Sequence, residues 1–124
     1  MKLELQKLNR DFSVCKVVDY SQAPLDSAYC FIGKTDEENS LVCIADEVPK
    51  NTLSRDDGWK GLRIRGVLDF SLIGILARVS SVLADAGISI FAVSTYNTDY
   101  ILIKEARYQQ ALAVLEESGY TIVD

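Results

Sequence analysis

The sequence has no histidine among its 124 residues. That removes the commonest general base at neutral pH and the commonest metal ligand, and it excludes a serine-histidine triad outright. Cysteine is scarce: Cys15, Cys30 and Cys43 are odd in number, widely spaced, and set in the apolar runs SVCKVV, AYCFIG and LVCIAD. They lack zinc-ligand spacing and read as buried, reduced thiols. Basic residues are outnumbered, 13 Lys and Arg against 18 Asp and Glu, for a formal net charge of −5. Phosphate backbones are bound by clustered cations, so nucleic acid is not an expected partner. The one basic cluster, Lys60, Arg63 and Arg65, falls on an alternating segment that reads as a solvated strand face. No run approaches the roughly 18 apolar residues that span a bilayer. The opening MKLELQKLNRDF lacks the apolar centre of a signal peptide. No membrane association and a reducing, cytoplasmic location are therefore expected.

The residues from Leu62 onward carry the clearest pattern. Ser54 to Gly58 (SRDDG) reads as a turn, after which Leu62-Arg63-Ile64-Arg65 alternates as a half-buried strand does. Leu72, Ile75, Leu76, Val79, Val82, Leu83 and Ala86 recur at steps of three and four, one face of an amphipathic helix. Ser71 is a natural N-cap and Gly87 a natural stop. Ile88 to Tyr96 and Tyr100 to Ile103, joined by Asn97-Thr98-Asp99, form a hairpin. A second helix carries Tyr108, Ala111, Leu112 and Leu115 on one face, Gly119 ends it, and Tyr120 to Val123 is a last short strand. The order is βαββαβ, the ferredoxin-like arrangement of an α+β protein, with both helices on one face of a four-stranded sheet. The other face is left to pack on something else.

The first half is β-rich. Met1 to Leu8 and Phe12 to Val18 read as two strands, and Tyr29 to Gly33 with Leu41 to Ala45 as a hairpin around Thr35 to Ser40. Asp19 to Ser27 holds one or two turns, since Pro24 interrupts it. Leu3 to Val14 faintly echoes Leu62 to Leu72, each ending in Asp-Phe-Ser and an aliphatic residue. The implied division is a shortened β-rich unit at residues 1–61 and a complete unit at 62–124. Units this small are marginal alone and are expected to pack on each other or on a second chain.

Ser71-Leu72-Ile73-Gly74-Ile75-Leu76-Ala77 followed by Leu83-Ala84-Asp85-Ala86-Gly87-Ile88-Ser89-Ile90 resembles the ACT-domain family of amino-acid-sensing regulatory modules. Gly74 and Gly87 stand where that family's two glycines stand. Ser71 replaces its acidic residue, and Ile73 its proline. Leu68 to Gly74 together with Ile90 to Tyr100 is similar to small stand-alone tandem ACT proteins related to the ACT units of aspartate kinase and of cytosolic arginine sensors. There the first half is a shortened ACT-like unit.

The resemblance implies an amino acid or similar metabolite held at an interface between ACT units, in a homodimer or with a partner protein. Its expected contacts are the helix-opening loop, Asp69, Phe70, Ser71, Leu72, Ile73 and Gly74, and the facing segment, Ser94, Thr95, Tyr96, Asn97, Thr98 and Asp99. Amides at a helix start suit a carboxylate. Asp69 and Asp99 suit an ammonium group, and the hydroxyls and amide orient the ligand. The same residues have simpler uses: Ser71 or Asp69 as helix cap, Asn97 to Asp99 as turn formers, and Phe70 and Phe91 as core. No base, nucleophile and orienting group come together, and no phosphate loop occurs, so no enzyme, metal or cofactor is expected. The alternative is a ligand-independent interaction or oligomerisation module that pairs through a sheet face or edge.

Overall fold

The computed structural model describes residues 3–65 and 74–124. In chain order the elements are β1 (Glu4–Val17), β2 (Cys30–Lys34), β3 (Asn39–Ile44), β4 (Thr52–Arg65), α1 (Ile75–Asp85), β5 (Ile90–Ser94), β6 (Asp99–Lys104), α2 (Glu105–Glu117) and β7 (Thr121–Val123). A single 3-10 turn, Ala45–Glu47, follows β3. The chain divides into two compact units, Met1–Asn9 with Lys60–Asp124, and Arg10–Trp59.

The larger unit has the expected βαββαβ order in β4, α1, β5, β6, α2 and β7. Its sheet differs in one strand. The order is β5-β6-β4-β1-β7, so the start of β1 lies between β4 and the terminal strand. β7 pairs with it in parallel, Glu4 opposite Thr121, Leu5 opposite Ile122 and Gln6 opposite Val123. The four-stranded sheet read from the sequence therefore has a fifth member, supplied by residues far away in the chain. Lys7 adds an ion pair to Asp124 at 2.8 Å.

Strand alternation explains the core. Leu3, Leu5, Leu62, Ile64, Ile101 and Ile103 meet Val79 and Leu83 of α1 and Tyr108, Ala111, Leu112 and Leu115 of α2. Such residues lie two apart on strands and three or four apart on helices, the spacings that put side chains on one face. The interleaved residues have polar work: Arg63 donates to Gln6 Oε1 at 3.3 Å and to the Tyr100 hydroxyl at 3.1 Å, and its guanidinium lies 5.2 Å from the Tyr100 ring centre. Both helices end at left-handed glycines, Gly87 (φ 73°) and Gly119 (φ 99°). Beyond α1, the Ile88 amide returns to the Leu83 carbonyl at 2.9 Å, the bond that closes a glycine-terminated helix. Arg107 donates to the carbonyls of Gly87 at 3.3 Å and Ala86 at 3.2 Å, placing a cation at the negative end of α1.

The smaller unit orders its strands β2-β3-β1-β4. Where the larger unit has helices, it has turns between Val18 and Tyr29 and the 3-10 turn at Ala45–Glu47. Cys15, Val17, Leu41 and Cys43 form its core, with Tyr20, Ala23, Cys30 and Val48 packed against them. Phe12 is fully buried and meets Tyr29 edge-on, ring centres 5.4 Å apart.

Two readings of the first half are corrected. The separate strands at Met1–Leu8 and Phe12–Val18 are one strand, Glu4–Val17, which continues across the polar Asn9-Arg10-Asp11. The turn at Ser54–Gly58 is part of β4. Ladder pairing outweighs local composition there, and side chains reinforce it. Ser13 donates to Asp57 Oδ1, and Arg55 donates to the same oxygen at 3.0 Å. Gly58, at φ 83°, takes the backbone form found at a bulge.

Leu5→Ala is expected to destabilise the protein by about 2–5 kcal/mol, as a large core truncation does, measured as a lower urea midpoint at unchanged slope. Tyr108 gives a pH test. Burial pushes its phenol up to about 12, and its hydroxyl donates to the Gly61 carbonyl at 3.1 Å. The unfolded phenol ionises near 10, so the folded state holds the extra proton and stability falls as pH rises from about 10 to about 12. Cys43, also pushed up to about 12, contributes in the same sense from about pH 9 upward. Urea midpoints for Tyr108→Phe should therefore decline less steeply over this range than those of the parent.

Candidate functional site

Of the candidate residues, Asp69, Phe70, Ser71, Leu72 and Ile73 lie outside the described residues. Gly74 and Ser94 to Asp99 are described, all within the larger unit. The chain leaves β4 at Arg65 and enters α1 at Ile75.

The helix opens later than the sequence indicates. Gly74, not Ser71, is the N-cap, in the left-handed region at φ 80°, ψ 17°, and among the described residues no side chain caps it. The first helical bond runs from the Arg78 amide to the Gly74 carbonyl at 2.9 Å. The amides of Ile75, Leu76 and Ala77 are therefore without an acceptor inside the helix. No acidic side chain occupies this first turn. Gly74 serves its backbone conformation: a Cβ there would meet no atom of the described residues within 4 Å, but an L-residue at that φ is strained.

The facing segment is a hairpin tip. Ser94 pairs with Asp99, and Thr95 to Thr98 form the turn. The Thr95 amide and hydroxyl both donate to the Thr98 carbonyl, at 2.9 and 2.8 Å. Asn97-Thr98-Asp99 is thus divided, with Asp99 the first residue of β6. Ser94, Thr95, Tyr96 and Asn97 are exposed, Tyr96 completely, whereas Thr98 and Asp99 are half-buried. The Thr98 hydroxyl donates to the Ile64 carbonyl at 2.6 Å. That bond fastens the tip to the last residues of β4, the end from which the chain passes toward α1.

One feature escaped the sequence reading. The β2–β3 hairpin repeats the β5–β6 hairpin sixty residues earlier, with Cys30 opposite Cys43 where Ile90 faces Ile103, and Lys34 opposite Asn39 where Ser94 faces Asp99. Thr35 closes its turn as Thr95 does, its amide donating to the Glu38 carbonyl at 3.0 Å. The signal available in the sequence was Phe31 and Thr35 set as Phe91 and Thr95 are. The Asp-Phe-Ser echo falls at a different offset and does not reveal it.

These elements define an α+β module with a polar hairpin tip fastened to the end of β4. The family model described as ACT domain matches residues 54–117, just over half of the sequence. The chain belongs to the ACT-domain family. It is similar to a protein of Agobacterium tumefaciens at 27% identity and a TM-score of 0.88, covering 99% of this chain and 93% of that one. It is similar to a Vibrio cholerae protein described as of unknown function and a possible transport protein, at 21% identity and TM-score 0.73, over 94% and 89% of the two chains. The fold is also that of the regulatory subunit of aspartate kinase from Thermus thermophilus, at 11% identity and TM-score 0.60, over 92% and 93%. None of the curated proteins compared gives a significant match.

Membership in this family accords with a non-catalytic regulatory role, one typically concerned with small-molecule sensing. Among the described residues, no group of three or more His, Cys, Asp or Glu can hold a metal ion, and no helix is long and apolar enough to cross a membrane.

Thr98→Val should cost about 1 kcal/mol, the net worth of a hydrogen bond, and loosen the tip. A lower denaturant midpoint, with faster hydrogen exchange at the Thr98 and Asp99 amides, is the expected result. Gly74→Ala should cost about 1–2 kcal/mol through backbone strain alone, seen as a lower midpoint with unchanged near-ultraviolet dichroism.

Proposed function

We propose that the chain is a non-catalytic sensor of an amino acid or similar small zwitterion. The ligand would bind between the helix-opening loop, Asp69 to Gly74, and the segment Ser94 to Asp99. The observation that carries this reading is the Thr98 hydroxyl bond to the Ile64 carbonyl at 2.6 Å. It keeps exposed Ser94, Thr95, Tyr96 and Asn97 near the strand end that feeds the helix-opening loop.

Each part has a matching chemistry. The amides at the start of α1 that have no acceptor within the helix suit a carboxylate, helped by the positive end of the helix dipole. Asp69 and Asp99 suit an ammonium group through charge-assisted hydrogen bonds. The hydroxyls of Ser94, Thr95 and Tyr96 and the amide of Asn97 discriminate among side chains. The output would be assembly, in a homodimer or with a partner protein in the cytoplasm, because a ligand shifts an equilibrium only by binding one arrangement better than another.

Calorimetric titration of the full chain against the common amino acids tests the reading. Saturable binding of one amino acid or a chemically related group is expected, with Asp69→Ala weakening it about tenfold or more, as loss of a charged hydrogen bond requires. No binding across the panel would overturn the proposal.

A further inference from the structure

The three cysteines are distant in sequence but meet in the smaller unit. Cys15 and Cys43 are buried in its core, and half-buried Cys30 packs against them from the outermost strand, β2. Cys30 stands directly opposite Cys43 in the β2–β3 ladder. The kind of pair follows from the turn. The Thr35 amide donates to the Glu38 carbonyl, which makes residues 35 and 38 a hydrogen-bonded pair. Bonded and non-bonded pairs alternate along an antiparallel ladder. Through 34 and 39, 33 and 40, 32 and 41, and 31 and 42, the alternation reaches 30 and 43 as a non-hydrogen-bonded pair.

That position brings two thiols close. Cα atoms of such a pair lie about 4.5 Å apart with both side chains on one face, inside the roughly 4.4–6.8 Å that a disulfide spans. Cys15 is the competing partner, since it is buried in the same core cluster as Cys43. In the ladder, however, Cys15 faces Leu41, and Cys43 lies diagonally two residues on. Diagonal Cα separations are about 7–8 Å, too long for a bridge without backbone movement.

We propose that Cys30 and Cys43 form a reversible cross-strand disulfide when the protein meets hydrogen peroxide. The Cys30 sulfur attacks one peroxide oxygen, the O–O bond breaks, and hydroxide leaves a sulfenic acid on Cys30. The Cys43 sulfur then attacks the Cys30 sulfur, the S–O bond breaks, and a second hydroxide leaves. Protons from the two thiols turn both hydroxides into water. The thiols together lose two electrons, and the peroxide gains them. Cys30 is the residue oxidised first because it is the more accessible of the two. Burial raises both thiols, so the reaction is slow at neutral pH and accelerates as pH rises toward their titration.

The bridge would clamp an outer strand of the sheet. It would also stiffen the hairpin whose Asn39 side-chain amide donates to the Val18 carbonyl at 2.8 Å, and whose Ser40 carbonyl accepts from the Tyr20 hydroxyl at 2.9 Å. Oxidation state would thereby bear on the Val18 to Tyr20 segment that those bonds hold.

Peptide mapping decides the matter. Arg10, Lys16, Lys34 and Lys50 place each cysteine in its own tryptic peptide. After peroxide treatment of the full chain, alkylation under denaturing conditions and digestion, free thiols should fall from three to one. The 17–34 and 35–50 peptides should be linked, Cys15 alkylated, and the link undone by a thiol reductant. Cys30→Ser should abolish the link and Cys15→Ser retain it. Should Cys30→Ser fail to fold, mapping of the parent chain alone gives the answer. A Cys15–Cys43 link, a link between two copies, or sulfinic acid on Cys30 beside a free Cys43 would overturn the proposal.

Discussion

A three-residue strand at the end of a chain cannot hold its own place. Thr121–Val123 stays where it is because Glu4–Gln6 lies beside it in parallel, and that pairing underlies much of the larger unit. It brings Leu3 and Leu5 into the core against the helices, where each fully buried leucine contributes about 1.5–3 kcal/mol. It places β1 on one side of β4 while β6 occupies the other. A strand paired on both sides is the firmest position in a sheet. β4 is also the strand whose Ile64 carbonyl receives the Thr98 hydroxyl, so the hairpin tip is referred to a rigid element.

The chemistry of the candidate site follows from that rigidity. The tip is internally closed by Thr95, which satisfies the turn's own polar groups and leaves the side chains of Ser94, Tyr96 and Asn97 exposed. The start of α1 has no acidic residue in its first turn and, among the described residues, no side-chain cap. The positive end of a helix favours an anion, and the opposite, negative end of α1 is served by Arg107. The second hairpin, built to the same register around Thr35, carries Asp36, Glu37 and Glu38 at its tip in place of Tyr96, Asn97 and Thr98. One backbone device is thus used twice with different surface chemistry.

Much of this was legible locally. The helices were read from three- and four-residue spacing, the hairpins from turn residues between β-prone runs, and the stops from Gly87 and Gly119. What was missed was non-local or masked by composition. Nothing in Leu3 to Leu8 indicates that it lies between β4 and a strand more than a hundred residues later. Ser54-Arg55-Asp56-Asp57-Gly58 has turn composition, and only its partner strand, with Ser13 reaching Asp57, makes it extended. Ser71 satisfies every local rule for an N-cap, yet the helix begins after Gly74 because glycine can take the left-handed conformation that turns the chain into α1. The sixty-residue hairpin repeat is a pattern of register more than of identity, so a search for matching letters passes over it.

The account turns on one claim, that the start of α1 and the β5–β6 tip act together on one small ligand. Amide chemical-shift mapping of the full chain during titration with the amino acid that binds addresses it most directly. The account predicts shifts concentrated on residues 69–77 and 94–99, with the Ile75, Leu76 and Ala77 amides among the largest. Shifts confined to other surfaces, with these amides unmoved at saturation, would contradict it.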